Sequence, residues 1–173
     1  MTLDERPHAT TLHELLLEVR GGYVLHRPIL VDVTPDGANG PEHTVERTLT
    51  ISLPAAGEPQ LAAELAGCGF VLIGPNTLHG ASEAPITIGR SRRCGVRIDN
   101  ESVSKVHASI ASDDARDFVV VDEHSRNGTR LNGTPLVAGA ATPIYAGAQV
   151  SFGDASYVFI DPPTLRKLAR LAT

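Results

Sequence analysis

The sequence predicts an all-β sandwich with an N-terminal α/β extension and a short C-terminal helix. Three observations carry that expectation. From Gly69 to about residue 160, short β-forming runs are separated by Gly, Asn and Asp turns. No strand–helix–strand alternation appears in that stretch, which disfavours a parallel sheet. The chain has 173 residues, 42% hydrophobic and 20% charged, a globular balance that buries roughly 70% of the unfolded surface without staples.

The elements follow in order. Residues 1–20 hold a short helix: Thr10 or Thr11 caps it, Leu12, Leu15, Leu16 and Val19 share one stripe, and Gly21-Gly22 stops it. Tyr23 to Val33 is β-rich but interrupted by Pro28, and a dense turn cluster runs from Pro35 to Pro41. Thr44 to Leu53 alternates Val45, Leu49 and Ile51 with Glu46, Thr48 and Thr50, so these two segments suit a hairpin with a long loop. Glu58 to Ala66 reads as a short helix, with Leu61 and Leu65 four apart and Gly67 as its C-cap. Strands are expected at Phe70–Ile73, Ile86–Ile88, His107–Ala111, Phe118–Val121, Thr129–Leu131, Gln149–Phe152 and Tyr157–Ile160. Pro162 to Ala172 opens with prolines and sets Leu165, Leu168 and Leu171 at helical spacing. The expected division is an extension over 1–66, a binding domain over 67–161 and a C-terminal helix over 162–173.

Charge and composition exclude several functions. Fifteen basic against 20 acidic residues give a net charge of −5, against a general nucleic-acid binder or a basic membrane-surface protein. Aromatics are 4% and Trp is absent, which removes base-stacking platforms. No apolar run reaches the ~18 residues that a membrane span needs. Cys68 and Cys94 allow at most one disulfide, and Asp4 and Glu5 stand where a signal peptide would be basic. A cytoplasmic protein is expected. Only Lys105 and Lys167 among the basic residues are lysines, an arginine bias that suggests a bacterial source with a GC-rich genome.

The chemistry sits between Ile86 and Leu136. Arg90, Arg92, Arg93 and Arg97 fall within eight residues of an acidic chain, just past Gly89. A second loop, Glu101-Ser102-Val103-Ser104-Lys105, feeds the strand at His107, and a third, Asp122 to Gly128, feeds Thr129. The arginines alone read as a solvated turn. Together the loops offer what a phosphate needs: Arg gives a planar fork of donors, and Ser and Lys add single ones. Asn offers a peptide backbone both a donor and an acceptor.

Four short motifs occur in order: Gly89-Arg90-Ser91, Ser104-Lys105-Val106-His107, Ser125-Arg126-Asn127-Gly128-Thr129 and Asn132-Gly133. In order, spacing and strand context they resemble the forkhead-associated (FHA) domain over about residues 68–160. The resemblance implies an eleven-stranded β-sandwich whose loops at one end bind phosphothreonine peptides. It implies that Arg90 and Ser104 bond the phosphate and that Lys105 lies at or near it. Asn127 would hold the ligand backbone, flanked by Arg126. Gly89, His107 and Gly128 would be architectural, with His107 tying the loops together. The implied partners are phosphothreonine proteins made by a Ser/Thr kinase, with no cofactor, metal, nucleic acid or membrane. Glu101 and Glu123 lie near the site in sequence and would repel a phosphate or select a basic flank.

Two rivals are weaker. Ser104, His107 and Asp122 can be written as a hydrolase triad, but Ser104 and His107 would face oppositely in a strand, and no Gly-x-Ser-x-Gly elbow exists. The seven histidines show no zinc spacing. The serious alternative is a phosphate-independent interaction or self-association scaffold that uses the same sandwich.

Overall fold

The computed structural model describes residues 9–34, 58–73, 84–112 and 117–172. The strand expected at Thr44–Leu53 lies outside the described residues. Helix α1 (Leu12–Arg20), strand β1 (Ile29–Asp32), helix α2 (Glu58–Leu65) and strand β2 (Phe70–Leu72) come first. They are followed by β3 (Ile86–Gly89), β4 (Val96–Arg97), β5 (Ala108–Ser112), β6 (Phe118–Asp122) and β7 (Thr129–Leu131). Then come β8 (Thr134–Pro135), β9 (Thr142–Ile144), β10 (Gln149–Phe152), β11 (Ala155–Ile160) and helix α3 (Pro162–Leu171).

The helix ends obey local chemistry. Thr11 caps α1 in a capping box: its hydroxyl accepts from the Glu14 N–H, while the Glu14 carboxylate accepts from the Thr10 and Thr11 N–H groups. Those backbone bonds, with one from the Thr10 hydroxyl, hold the Glu14 carboxyl below its ordinary pKa. Asp161 caps α3 by accepting from the Thr164 N–H at 2.8 Å, and Pro162 and Pro163 occupy first-turn positions that need no amide hydrogen.

The strands form two sheets, ordered β2-β1-β11-β10-β7-β8 and β4-β3-β5-β6-β9. Every pair is antiparallel except β3–β4. One core lies between the sheets, with Leu30, Val150, Phe152, Tyr157 and Phe159 from the first and Ile88, Ile110, Val120 and Ile144 from the second. A second core lies on the outer face of the six-stranded sheet. There Ile29, Val31, Val158 and Ile160 meet Leu12, Leu15 and Leu16 of α1, Leu61 and Leu65 of α2, and Leu165 and Leu168 of α3. Strands β1 and β11 are thus buried on both faces. That is why Ile29-Leu30-Val31 and Tyr157-Val158-Phe159-Ile160 are unbroken apolar runs and do not alternate. Cys68 and Cys94 are free thiols.

Two features differ from expectation. Strand β1, from the segment read as an extension, lies between β2 and β11 and pairs with both; Pro28 ends the β-rich run just ahead of it, where no ladder donor is required. Strands β4, β8 and β9 were not foreseen. The last two are sheet edges containing Pro135 and Pro143, where a missing N–H is tolerated and further strand pairing is blocked.

Candidate functional site

The register brings three loops to one end of the sheets. Ile88 stands opposite Ala108, and Ala108 opposite Asp122, so the loop after β3, the loop before β5 and the loop after β6 emerge together. Backbone hydrogen bonds lace them. The Arg90 N–H donates to the Ser104 carbonyl at 2.9 Å and the Ser91 N–H to the Lys105 carbonyl at 3.0 Å. Gly89 permits this closeness: a Cβ there would run into the Lys105 carbonyl.

Ser104 is the pivot. Its hydroxyl oxygen accepts from the Arg126 N–H at 2.9 Å, which leaves the hydroxyl hydrogen to donate elsewhere. The Asn127 amide donates to the Ser102 carbonyl at 2.6 Å, leaving its second N–H and its oxygen. Arg90, Lys105, Arg126 and Asn127 are exposed and Ser104 half-buried.

His107 is fully buried behind these loops and meets the Phe152 ring edge-on at 5.8 Å. Its Nδ1 accepts from the Ser104 N–H at 3.0 Å, so the ring proton sits on Nε2, which donates to the Gly128 carbonyl at 3.0 Å. Burial pushes the imidazole pKa below its ordinary value, against the opposing pull of the Gly128 bond and the Asp122 charge. The ring is neutral and bridges two loops. Gly128 has φ +79°, the left-handed region that glycine enters freely.

Beneath the third loop, buried Asp122 accepts from the Ser125 and Thr129 hydroxyls, each at 2.6 Å, and from the Ser125 N–H. Burial pushes its carboxyl up, but these bonds and the His107 contact outweigh it and hold the pKa below the ordinary value. Glu123 accepts from the Ser109 hydroxyl on β5 at 2.6 Å. Ser104 meets His107 through its backbone amide, not its hydroxyl, and Asp122 serves Ser125 and Thr129. A Ser–His–Asp relay is therefore not assembled. Neither Ser104 nor His107 lies in β5, which begins at Ala108.

Arg90, Ser91, Arg92, Arg97, Asp99 and Lys105 line an open cleft of about 420 Å³. Arg97 pairs with Asp99 at 3.2 Å, the one ion pair among the described residues, with side chains 43% and 78% exposed. Solvent reduces such a pair to about 0–1 kcal/mol. A second cleft, of about 270 Å³, lies between the ends of α1 and α3 and is lined by Arg20, Arg166 and Arg170 with Val19, Val24 and Ala169. There the Arg20 guanidinium donates to the Ala172 carbonyl.

Sequence reasoning did not single out Asn100 or a structural role for Ser102. Buried Asn100 accepts from the Ser102 N–H and hydroxyl, and the Ser102 hydroxyl oxygen accepts from the Asp154 N–H. Gly153 lies against Ser102, where a Cβ would come within 2.7 Å of its carbonyl oxygen. The signal was the Asn-x-Ser spacing, the pattern of a side chain that closes its own turn. No cluster of three or more His, Cys, Asp or Glu suited to a metal occurs among the described residues. No helix among them is long and apolar enough to cross a membrane.

No curated protein matches the chain. Solved structures do. An FHA domain from Chlamydia trachomatis is 15% identical, over 78% of this chain and 97% of that one, with a TM-score of 0.49. Mycobacterium tuberculosis EmbR, in complex with a low-affinity phosphopeptide, is 17% identical over 86% of this chain and 28% of that one, with a TM-score of 0.49. The N-terminal FHA domain of S. cerevisiae Rad53p, in complex with a phosphothreonine peptide, is 16% identical over 82% and 98%, with a TM-score of 0.49. The family model for the FHA domain matches residues 86–153. All four sequence motifs fall inside that span, and it is as an FHA domain that this part of the chain is recognised.

Proposed function

We propose that the chain is a phosphothreonine reader: an adaptor for proteins phosphorylated by a Ser/Thr kinase, without catalysis, cofactor, nucleic acid or membrane. The binding unit is an FHA-type sandwich over 67–161, completed by β1 (Ile29–Asp32) between β2 and β11, and its setting is a bacterial cytoplasm. Arg90 and the Ser104 hydroxyl bond the phosphate and Lys105 adds a cation beside it. Asn127 holds the ligand backbone, with Arg126 at its flank. Gly89, His107 and Gly128 keep the loops in place. The observation that carries this reading is Ser104. Its oxygen is fixed by the Arg126 amide while its hydrogen stays available, beside the arginine-lined cleft.

The test is a set of titrations of the full chain with one peptide in three forms: threonine, phosphothreonine and phosphoserine. Binding of the phosphorylated forms only, with phosphothreonine preferred, is expected. A methyl group in a pocket is worth about 1–3 kcal/mol, or ~10–200-fold. Raising salt should weaken both phosphopeptides together and leave their ratio nearly constant, because they carry the same phosphate. Equal binding of phosphorylated and plain peptide would replace this reading with the phosphate-independent scaffold. Equal binding of the two phosphopeptides would reduce the site to a generic anion patch.

A further inference from the structure

The cleft between the ends of α1 and α3 has no part in phosphothreonine reading, yet it concentrates charge. Arg20, Arg166 and Arg170 line it, and among the described residues no carboxylate does. None of the three forms an ion pair with a described residue, although the chain as a whole carries a net charge of −5. All of the lining residues lie outside 86–153, the span that matches the FHA family. The cleft therefore belongs to the helical layer on the outer face of the six-stranded sheet.

The helix ends explain only part of this charge. Arg20 and Arg170 stand in last turns, where the partial negative charge of a helix end favours a cation, and Arg20 also donates to the Ala172 carbonyl. Arg166 stands a turn earlier, beyond the reach of that effect. It lies four residues from Arg170 on one helix face, a spacing at which like charges repel. Both side chains are exposed, and an anion from outside would turn their repulsion into attraction.

The shape and chemistry of the cleft narrow the choice of anion. Its volume of about 270 Å³ is below the ~300–1,000 Å³ of small-molecule pockets and suits one or two side chains of a peptide. Val19, Val24 and Ala169 give it apolar walls, and Val24 is 54% exposed. One arginine fork satisfies both oxygens of a carboxylate, whereas the third oxygen of a phosphate asks for further donors. No Ser, Thr or Asn lines the cleft to supply them.

We infer that this cleft docks an acidic peptide segment of a partner protein, with carboxylates on Arg166 and Arg170 and an apolar side chain against Val19, Val24 and Ala169. The contact needs no phosphorylation, and it stands or falls apart from the phosphothreonine reading.

The probe is a short glutamate-rich peptide with one leucine at its centre and no phosphate. It is titrated into the isotope-labelled full chain up to about 1 mM, the weak end of measurable affinity, and followed by amide NMR shifts. Shifts are expected at Gly22, Tyr23, Val24 and Ala169, and none at Ser104, Arg126 or Asn127. A glutamine version of the peptide should bind at least about tenfold more weakly, and a version with serine for leucine at least about threefold more weakly. Arg166→Gln/Arg170→Gln changes two exposed helical positions. It should lose about three- to thirtyfold, the worth of two exposed pairs, with a melting curve that matches wild type. The inference is overturned by no binding at the highest concentration, by a smaller loss in the double variant, or by shifts at the Ser104–Asn127 loops in place of the helix ends. Vesicles of phosphatidylcholine with phosphatidylserine are the second probe. Shifts at the helix ends with these vesicles and not with the peptide would make the cleft a lipid contact and overturn the peptide.

Discussion

Two clefts in this acidic protein are walled by arginine, and they are built differently. In the cleft of Arg20, Arg166 and Arg170, positive charge stands at the last turns of α1 and α3 through Arg20 and Arg170, with Arg166 one turn earlier on α3. There it meets the partial negative charge of the helix ends, and Arg20 is already committed to the Ala172 carbonyl. The remaining walls come from Val19, Gly22, Tyr23, Val24 and Ala169, mostly apolar. In the cleft of Arg90, the neighbouring loops supply neutral donors: the Ser104 hydroxyl and the Asn127 amide, fixed by the Arg126 N–H and the Ser102 carbonyl. Buried His107 locks those loops from behind. Arginine density alone does not distinguish the two. What does is a set of neutral donors held in place before any ligand arrives.

The largest effect that sharpens this contrast is expected at His107. His107→Ala strands the Ser104 N–H and the Gly128 carbonyl and empties space beside Phe152. It should cost about 2–4 kcal/mol, lowering the melting temperature by roughly 5–15 °C; a variant that melts with wild type would show that the loops need no such lock. Next comes Arg90→Ala, which should weaken phosphothreonine-peptide binding at least tenfold, or about 1.5–3 kcal/mol, with an unchanged melting curve. A smaller effect is pH-dependent. The His107 pKa is depressed in the fold, so below the unfolded value of about 6.5 the unfolded chain binds the extra proton. Stability contributed by the neutral ring is full above that pH and is lost as pH falls toward the folded pKa, by no more than about 1.4 kcal/mol per unit. The Asp122 carboxyl, also depressed, adds its loss only below about pH 3.8. Urea titrations from pH 7.5 to 5 should show this slope in wild type and a flatter one in His107→Ala. The smallest effect is at the other cleft: Arg166→Ala should change phosphopeptide affinity by less than about twofold, and a tenfold loss there would erase the distinction between the clefts.

The sequence was most legible where local chemistry decides. Thr11 caps α1 as expected, and Leu12, Leu15 and Leu16 of α1 and Leu165 and Leu168 of α3 are buried as their spacing predicts, whereas Leu171 of the same stripe is exposed. Three of the four motifs stand on loops that the register brings to one end, while Asn132-Gly133 makes the turn between β7 and β8. Less legible were features that only a partner creates. Strands β4 and β8 are two residues long and β9 is three, too short for any periodicity, so they exist because a neighbouring strand offers a ladder. The central position of β1 depends on β11, far along the chain. Asn100 and Ser102 acquire their importance through Gly153, Asp154 and Asn127. The second arginine cleft joins Arg20 to Arg166 and Arg170 only when α1 packs against α3.

The place of β1 also has a meaning in time. Ile29 pairs with Ile160, and a ribosome adding ~5–20 residues per second needs roughly 7–26 s to make the intervening chain. Until then α1 and β1 have no sheet to join, and β2 lacks the strand that links it to the rest. The arrival of β11 supplies Tyr157 and Phe159 to one core and Val158 and Ile160 to the other. α3 then closes over the second within ten more residues. The two cores are therefore completed by one late event, and a nascent chain stopped before residue 155 possesses neither in finished form.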